Sequence, residues 1–365
     1  MTVQAGTSIA GRYKERLRIS ALEFVRRSFA DRRTGAVTIL ALIILIGAGI
    51  PFLRWAVFNA DFIGTAPTDC RRAGACWVFI SQKAGQLGYG FYPLELRWQV
   101  DISMILSALG LLGAFRLARR YQIALAVAIY FLSTFLSFNA FGGRLPWMTP
   151  VAVEKWGGLS LTLLLFSIGV GISFCFGGLL AMGRRSKRPV IRAISSVYVE
   201  FMRGVPLIAI LFVAVILLPL FLPSGAGADL FLRIMVGICL YTSSYMAEAI
   251  RAGLDAVPTG TREAAYALGM SHWNTQKLVV FPQALTISLP GLINTMVALV
   301  KDTSLVILVG VHDLLGSTQL AIGDVTWGNV LWEGYFFAGI IYFMICFGLN
   351  VIGHRIEINF NKRNR

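Results

Sequence analysis

The side chains best able to make specific polar contacts are concentrated in one short stretch, residues 261–285, with the sequence TREAAYALGMSHWNTQKLVVFPQAL. It carries Arg262, Glu263, His272 and Lys277 and lies between two very apolar parts of the chain. These groups can pair with charges on another protein. They form no Ser-His-Asp or Cys-His pattern, and the histidines of the chain lie too far apart in sequence for a zinc-ligand spacing. The stretch is a candidate binding surface, and we expect no catalytic residue and no metal site.

The composition indicates a membrane protein. The 365 residues are 56% hydrophobic and 14% charged, with a mean hydropathy of +0.70, whereas soluble domains carry about 25% charged residues. The net charge of +15 bears first on loop orientation and on anionic lipid. No basic patch is interleaved with aromatic residues, so we expect no nucleic-acid partner.

Apolar segments of about 20 residues cross the hydrocarbon core as helices. The first of them lies far from the N-terminus, behind a long basic stretch, so we expect a membrane span there and not a cleaved signal peptide. The sequence predicts an all-α integral membrane protein with eight spans, at residues 36–54, 100–117, 121–138, 159–182, 205–222, 230–250, 287–309 and 332–353.

The distribution of Lys and Arg orients these spans. With the N-terminus inside the cell, inside segments hold about three times as many Lys and Arg residues as outside loops, which is the bias found in membrane proteins. Both termini are therefore predicted to be cytoplasmic, and residues 261–285 lie on the cytoplasmic side. The basic N-terminal segment is open to two interpretations, an amphipathic element on anionic lipid or a topogenic tail, since apolar residues stand among its charges at Leu17, Leu22, Phe24 and Val25.

The same stretch has the local signals of two short helices. Thr259 or Thr261 can cap the first helix, and Gly269 suits a left-handed stop at its end. Ser271 can cap the second helix, and Pro282 ends that helix or starts the next span. A glycine elbow between two helices is expected.

This elbow resembles the EAA loop of ABC importer permeases, EAA-x3-G-x9-I-x-L-P. The chain departs from that pattern at two positions, with Val279 in place of Ile and Phe281 in place of Leu. Flanking segments are similar to the polar amino-acid branch of the family: SSYMAEAIRAGLDAVPTGTREAA, FPQAL, KDTSLV and EFMRGVPLI. The resemblance covers residues 158–353 as a type I permease core of five helices. Residues 1–157, with three further spans, are similar in architecture to the larger permease subunits of general L-amino-acid importers, and residues 354–365 form a basic tail.

The resemblance implies a function and a set of partners. A permease of this family forms the translocation pathway of an amino-acid importer in the bacterial inner membrane, and its elbow docks on a separate ATPase. This chain lacks the phosphate-loop pattern G-x4-G-K-[ST], so ATP and Mg²⁺ are expected on the partner and no cofactor on this chain. A second permease subunit, identical or a related sister chain, and a periplasmic amino-acid-binding protein are the other expected partners. The residues to which the resemblance assigns ATPase coupling are Arg262, Glu263, Ala264, Ala265, Gly269 and Pro282.

Charged residues inside or beside the spans are candidates for the pathway or its gates, because such groups are costly in the membrane. Lys301 and Asp302 point about 100° apart on a helix, so each needs its own partner; with Ser304 they either shape an outer gate or fix a helix break. Glu248 is three residues from Arg251, and Glu200 is three residues from Arg203. The first pair is either a contact at the inner mouth of the pathway or an ordinary solvated pair at a helix end. Arg203 of the second pair either meets the carboxylate of a passing amino acid or is a topogenic arginine at the inner interface.

Two observations concern packing. Gly169, Ser173, Gly177 and Ala181 recur every four residues and predict a close helix contact. Cys70 and Cys76 share the first outside loop, where a disulfide would add roughly 2 kcal/mol if the compartment is oxidising; the sequence leaves that pairing open.

Two other classes of function are weighed against the importer. A secondary, ion-coupled amino-acid transporter needs an intramembrane ion site and often two similar halves, and no second copy of the pattern around residues 230–309 is present. A structural anchor would not need the charged residues found in the span at 287–309.

Overall fold

The computed structural model describes Glu23, Ser28, Phe29 and residues 31–70, 73–118, 123–221 and 229–363. Most of the basic N-terminal segment lies outside the described residues, including Leu17, Leu22, Phe24 and Val25. The chain folds as two units, one extending to Val78 and the other beginning at Phe79.

Helices make up nearly all the regular structure of the described residues. In chain order they are α1 (Arg32–Leu53), α2 (Trp77–Tyr89), α3 (Arg97–Ala118), α4 (Ile123–Phe141), α5 (Gly158–Arg184), α6 (Pro189–Gly204), α7 (Leu207–Phe221), α8 (Leu230–Ala256), α9 (Thr259–Ala267), α10 (His272–Val309), α11 (Leu314–Ile322) and α12 (Leu331–Arg363). A short strand, β1, comprises His312–Asp313. Short 3-10 turns lie at Pro67–Asp69, Leu94–Leu96, Val153–Lys155 and Val325–Trp327.

The first unit consists of an apolar helix and a closed loop. No residue in the most apolar window of α1 is buried within the structure, which suits a helix surrounded by lipid. Beyond it, a disulfide joins Cys70 to Cys76, so the pairing that the sequence leaves open is formed in this structure. The indole N–H of Trp77 donates to the carbonyl oxygen of Ala56 at 2.7 Å, which ties the end of the loop to the end of the helix.

Among the described residues, five helical segments are long and apolar enough to cross a membrane: Arg33–Phe58, Gly158–Arg184, Leu230–Ala256, His272–Val309 and Leu331–Ile358. The sequence predicts a span at the position of each. The spans predicted at 100–117 and 121–138 are occupied by α3 and α4, but neither helix reaches the same combination of length and hydropathy. The number of eight spans therefore stays a prediction.

Two predicted spans differ from the structure in their bounds. The span predicted at 205–222 begins at Leu207 because Val205 and Pro206 are extended, and the chain turns by 105° between α6 and α7. Proline disfavours helical backbone in the residue before it, which explains the break. The span predicted at 287–309 starts much earlier, at His272, because helix α10 runs on from the polar stretch through a π turn at Thr275–Val280.

The core of the second unit is the contact between α5 and α8. A Cβ atom added to Gly177 would lie 2.7 Å from the Cβ of Met246, so the two backbones approach as closely as glycine allows. The hydroxyl of Ser173 donates to the carbonyl oxygen of Cys239 at 3.3 Å. The predicted role of the small-residue stripe is confirmed, and helices α5 and α8 are held together by close packing.

A buried carboxylate joins three elements at the other end of α5. Asp313 accepts hydrogen bonds from the Tyr342 hydroxyl at 2.6 Å and from the Gly316 N–H at 3.0 Å. The adjacent Leu314 N–H donates to the Thr162 hydroxyl at 3.0 Å. Burial raises the pKa of Asp313 to about 6. These bonds anchor β1 and α11 between α5 and α12.

The small-residue stripe can be tested by comparing the stability of two variants at neighbouring glycines. We expect Gly177→Leu to lower the free energy of unfolding by about 1–3 kcal/mol, because the new side chain must push α8 away. Gly178→Leu should leave stability nearly unchanged, since a Cβ atom there meets nothing within 4 Å. Thermal unfolding of the two variants in the same detergent measures the difference; equal melting temperatures would show that the contact is not tight.

Candidate functional site

Residues 257–280 form the elbow that the sequence predicts, between α8 and the membrane part of α10. Pro258 occupies the N-cap position of α9, and no side chain caps that helix. The expectation that Thr259 or Thr261 provides the cap is therefore wrong. The reason is that α9 starts at Thr259 itself, directly after a proline whose backbone suits the start of a helix.

The turn of the elbow follows the prediction. Gly269 has a φ of +77°, its N–H donates to the carbonyl oxygen of Tyr266, and the next N–H, of Met270, donates to that of Ala265. Left-handed glycine with these two bonds is a common way to end a helix. The Ser271 hydroxyl accepts a bond from the Asn274 N–H at 3.3 Å and caps the second helix, as predicted.

Large apolar side chains are exposed on the outer surface of the elbow. Leu268 is 83% exposed and Trp273 is 73% exposed. Beside them, the Tyr266 ring stacks on the His272 ring, and the Tyr266 hydroxyl lies 2.7 Å from His272 Nδ1. Large apolar side chains on a polar surface mark a site of protein contact. We call Tyr266, Leu268 and Trp273 the elbow ridge.

The residues to which the resemblance assigns coupling do not all face outward. Glu263, Ala264 and Gly269 are exposed, whereas Ala265 is buried. Arg262 turns inward, and its Nη2 donates to the carbonyl oxygen of Leu254 at 3.0 Å. Arg262 therefore ties α9 to the last turn of α8, where a backbone carbonyl lacks a helical partner. The sixth residue of the set, Pro282, is partly buried where α10 leaves the elbow.

Charged side chains at the elbow end of α5, α6 and α8 form one network rather than separate pairs. Glu248 on α8 accepts from Arg184 of α5 at 2.7 Å and from Arg251 of its own helix, and Arg203 of α6 lies 3.6 Å away. The other nitrogen of Arg184 reaches Glu200 at 2.9 Å. We call these five residues the arginine–glutamate cluster. It joins the two glutamate–arginine pairs that the sequence leaves open.

A cavity of about 330 Å³ lies between α8 and α10. We call it the polar cavity because six of its eight lining residues carry polar side-chain groups. Its lining residues are Tyr241, Thr242, Tyr245, Asn294, Thr295, Ala298, Leu299 and Asp302.

The sequence identified only Asp302 of this lining. The hydroxyls of Tyr241 and Tyr245 lie 3.1 Å apart, and the guanidinium of Arg203 lies 5.5 Å from the centre of the Tyr245 ring. A signal was present: Asn294 and Asp302 are eight residues apart in an apolar helix, which places both polar groups near one face.

The other two residues proposed for the outer gate do not line this cavity. Lys301 is exposed, and Ser304 donates its hydroxyl to the carbonyl oxygen of Lys301 at 2.7 Å. The backbone of α10 changes to a 3-10 turn at Thr303–Val309. The structure therefore separates Asp302 from its neighbours, as expected for residues about 100° apart.

The opposite end of the second unit presents a surface built from distant parts of the chain. Lys83 on α2 pairs with Asp324 at 2.6 Å, and Phe79 meets Trp327 edge to face at 5.6 Å. Hydrogen bonds from Lys83 and Thr326 lower the pKa of Asp324 to about 2. These contacts hold α2, from the first predicted outside loop, against the loop that follows α11.

Comparison with known proteins identifies the family. Residues 173–361 match the inner membrane component of binding-protein-dependent transport systems, over more than half of the chain. The chain belongs to this family. The resemblance to ABC importer permeases stated from the EAA pattern is confirmed, and so is the all-α membrane fold with a type I permease core.

Relatives of this permease match more than nine tenths of its length. The inner membrane amino-acid ABC transporter permease protein YhdY of Escherichia coli K12 is 39% identical, over 93% of each chain. The permease protein BztC of Rhodobacter capsulatus, named for glutamate, glutamine, aspartate and asparagine transport, is 30% identical over 95% of each. A crystal structure of an amino acid ABC transporter with histidines is 31% identical, with a TM-score of 0.50, over 55% of this chain and 92% of that one.

Backbone conformation at the elbow is testable with two glycines of this permease. A Cβ atom meets nothing within 4 Å at Gly269 or at Gly260, but only Gly269 has a positive φ. We expect Gly269→Ala to destabilise the elbow by about 1–2 kcal/mol and to speed amide hydrogen exchange at Met270 and Ser271. Gly260→Ala should leave exchange at these amides unchanged or slower. Equal exchange in the two variants would contradict a left-handed turn at Gly269.

Proposed function

We propose that this permease is the substrate-conducting subunit of an ATP-driven amino-acid importer and that its elbow docks on a separate ATPase. The observation that carries the proposal is the elbow ridge, three exposed large side chains on a helix–turn–helix that interrupts a membrane domain. A loop with no partner has no reason to present Leu268 and Trp273 to water. The names of the full-length relatives favour amino acids as substrates.

The charges near the elbow support a cytoplasmic location. Arg184, Arg185, Arg203 and Arg251 all lie at the end of the helices next to the elbow. Lys and Arg concentrate on the cytoplasmic side of inner-membrane proteins. In this orientation both termini are inside, the elbow faces the cytoplasm, and the surface around Asp324 faces the periplasm.

The elbow has the layout of a docking site. The elbow ridge supplies Tyr266 and Trp273, residue types that are enriched among the hot spots of protein interfaces, and Leu268 adds apolar area. Glu263 and Lys277 are exposed beside the ridge and can pair with charges on the ATPase. The inward bond of Arg262 to Leu254 holds this surface to the end of α8. A displacement of the elbow is therefore transmitted to α8, which lines the polar cavity.

The cavity between α8 and α10 has the chemistry of an amino-acid path. Hydroxyl groups of Tyr241, Tyr245 and Thr295, the amide of Asn294 and the carboxylate of Asp302 offer donors and acceptors for a zwitterion. Its volume is at the lower end of the range of small-molecule sites. We propose that substrate passes this cavity when the permease changes from outward-open to inward-open.

The partners follow from the family and from the lack of a phosphate-loop pattern in this chain. ATP and Mg²⁺ bind to the ATPase subunits, since the chain has no phosphate-loop pattern. A second permease subunit completes the pathway. An extracytoplasmic binding protein delivers substrate to the outer loops at residues 55–99 and 310–331. In this arrangement the protein is not an enzyme, and its role is alternating access.

Docking is tested by removing the elbow ridge. The double variant Leu268→Ser with Trp273→Ser should weaken binding of the co-expressed ATPase by about 1,000-fold, because two hot-spot side chains at about 2 kcal/mol each contribute about 4 kcal/mol. Val325→Ser is the matched control, since Val325 is 90% exposed but lies at the opposite end. Co-purification of the ATPase at wild-type yield with the double variant would refute the docking role.

The pathway is tested by a charge removal inside the cavity. Asp302→Asn keeps the size of the side chain, and we expect it to lower uptake of at least one amino acid roughly tenfold, the loss typical of a charged hydrogen-bond partner. Lys301→Gln, one residue away and outside the cavity lining, should leave uptake nearly unchanged. The measurement is uptake of radiolabelled acidic, amide, basic and neutral amino acids into proteoliposomes that contain the whole transporter. Equal uptake by both variants across this panel would exclude the cavity from the pathway. Transport by the wild type without ATP would instead favour the ion-coupled alternative.

A further inference from the structure

Glu248 is the shared acceptor of the arginine–glutamate cluster. Its carboxylate receives Arg184 from α5 at 2.7 Å, Arg251 from α8, and Arg203 from α6 at 3.6 Å. The side chain of Arg184 is 14% exposed and that of Glu248 is 26% exposed. Charge pairs with this degree of burial are less screened than surface pairs, so their geometry is better defined.

The cluster continues to the elbow through a short series of bonds. Arg251 bridges Glu248 to Asp255 one helical turn further along α8, at 2.8 Å. Asp255 also meets Arg185, which follows α5, at 3.4 Å. The neighbouring carbonyl of Leu254 accepts the bond from Arg262 of α9. The first helix of the elbow is therefore linked to α8 within the same two turns that carry Glu248.

The cluster also reaches the polar cavity. Arg203 lies close to the carboxylate of Glu248, and its guanidinium stands over the ring of Tyr245, a lining residue. Tyr245 precedes Glu248 by less than one turn of α8. One side chain thus contacts the cluster and the cavity wall together.

The bend between α6 and α7 adds a mechanical reason for such a link. The chain turns by 105° there, and the extended residues Val205 and Pro206 form no continuous helix that could transmit a displacement. A displacement must therefore pass from α6 to α8 through side chains. The Tyr198 hydroxyl of α6 donates to the carbonyl oxygen of Leu240 on α8 at 2.8 Å. The bonds around Glu248 add a charged connection at the end of the helices nearest to the elbow.

We propose that Glu248 is a positioning residue that makes the ends of α5, α6 and α8 move as one body with the elbow. Displacement of the elbow by the ATPase then reaches the cavity as a movement of these helices instead of a local bend at residues 256–258. The proposal rests on the proposed function and names the side chain through which the elbow acts on the pathway. Removal of the carboxylate leaves three arginines near one another without their shared acceptor, and repulsion separates the three helix ends.

The test compares two identical substitutions that contact the same arginine. Glu248→Gln removes the shared acceptor, whereas Glu200→Gln removes a carboxylate that also bonds Arg184 but has a side chain 65% exposed. In the purified complex with its ATPase and binding protein, the ratio of amino acid transported to ATP hydrolysed is measured. We expect about a tenfold lower ratio for Glu248→Gln, a size typical of coupling between sites, with ATPase binding retained. The ratio for Glu200→Gln should stay within about twofold of the wild type, as for exposed ion pairs.

A double variant separates positioning from simple stability. Glu248→Gln combined with Arg184→Gln should lower the ratio no further than Glu248→Gln alone, because both changes break the same connection. Glu248→Asp, which keeps the charge, should recover part of the ratio. A purely structural role would reduce the yield of assembled complex and leave the ratio of the surviving complex unchanged, and that result would overturn the proposal. A wild-type chain that binds no ATPase would instead overturn the proposed function, and this proposal with it.

Discussion

A backbone inside the hydrocarbon core of a membrane has no water to bond with, so every N–H and C=O group there must find a partner within the protein. Helices satisfy that constraint by themselves, and the five long apolar segments of the described chain are helical. The places where the backbone leaves the regular helix are therefore informative. They include the bend at Val205 and Pro206, the 3-10 turn after Asp302, and the left-handed Gly269. Each lies beside a polar group that the site uses.

Close packing determines which helices share a movement. Between α5 and α8, glycine and serine replace larger side chains, and the two backbones approach closely at Gly177. Lipid gives apolar side chains little reason to prefer a neighbouring helix, so such contacts supply much of the association. At the elbow end, the arginine–glutamate cluster adds charge contacts to the packed pair and includes α6. At the far end, the buried Asp313 joins α5 to α12 through Thr162 and Tyr342. The core is thereby held at both ends, and the polar cavity lies along α8 and α10.

Several features were predictable from the sequence because they depend on neighbours along the chain. Hydropathy located the long spans, Gly269 and Ser271 predicted the turn and cap of the elbow, and the spacing from Gly169 to Ala181 predicted a close contact. The errors were also local in origin. Thr259 and Thr261 have the right chemistry for a cap, yet Pro258 precedes the helix, and Pro206 moves the start of the span predicted at 205–222 to Leu207.

The sequence by itself determined the membrane class, the positions of the long helices, the elbow and the family, since each is encoded by composition, periodicity or spacing within a few turns. Only the tertiary structure decided which side chains meet. It directed Arg262 to Leu254 instead of outward, brought Arg184, Arg203 and Arg251 to one carboxylate, and placed Tyr241 and Asn294 on the same cavity wall as Asp302. These contacts join residues up to 64 positions apart in the chain, and a pattern in the sequence carries no record of which helix faces which. Which helices face each other is decided by the packing of small residues and by the need of each buried charge for a partner.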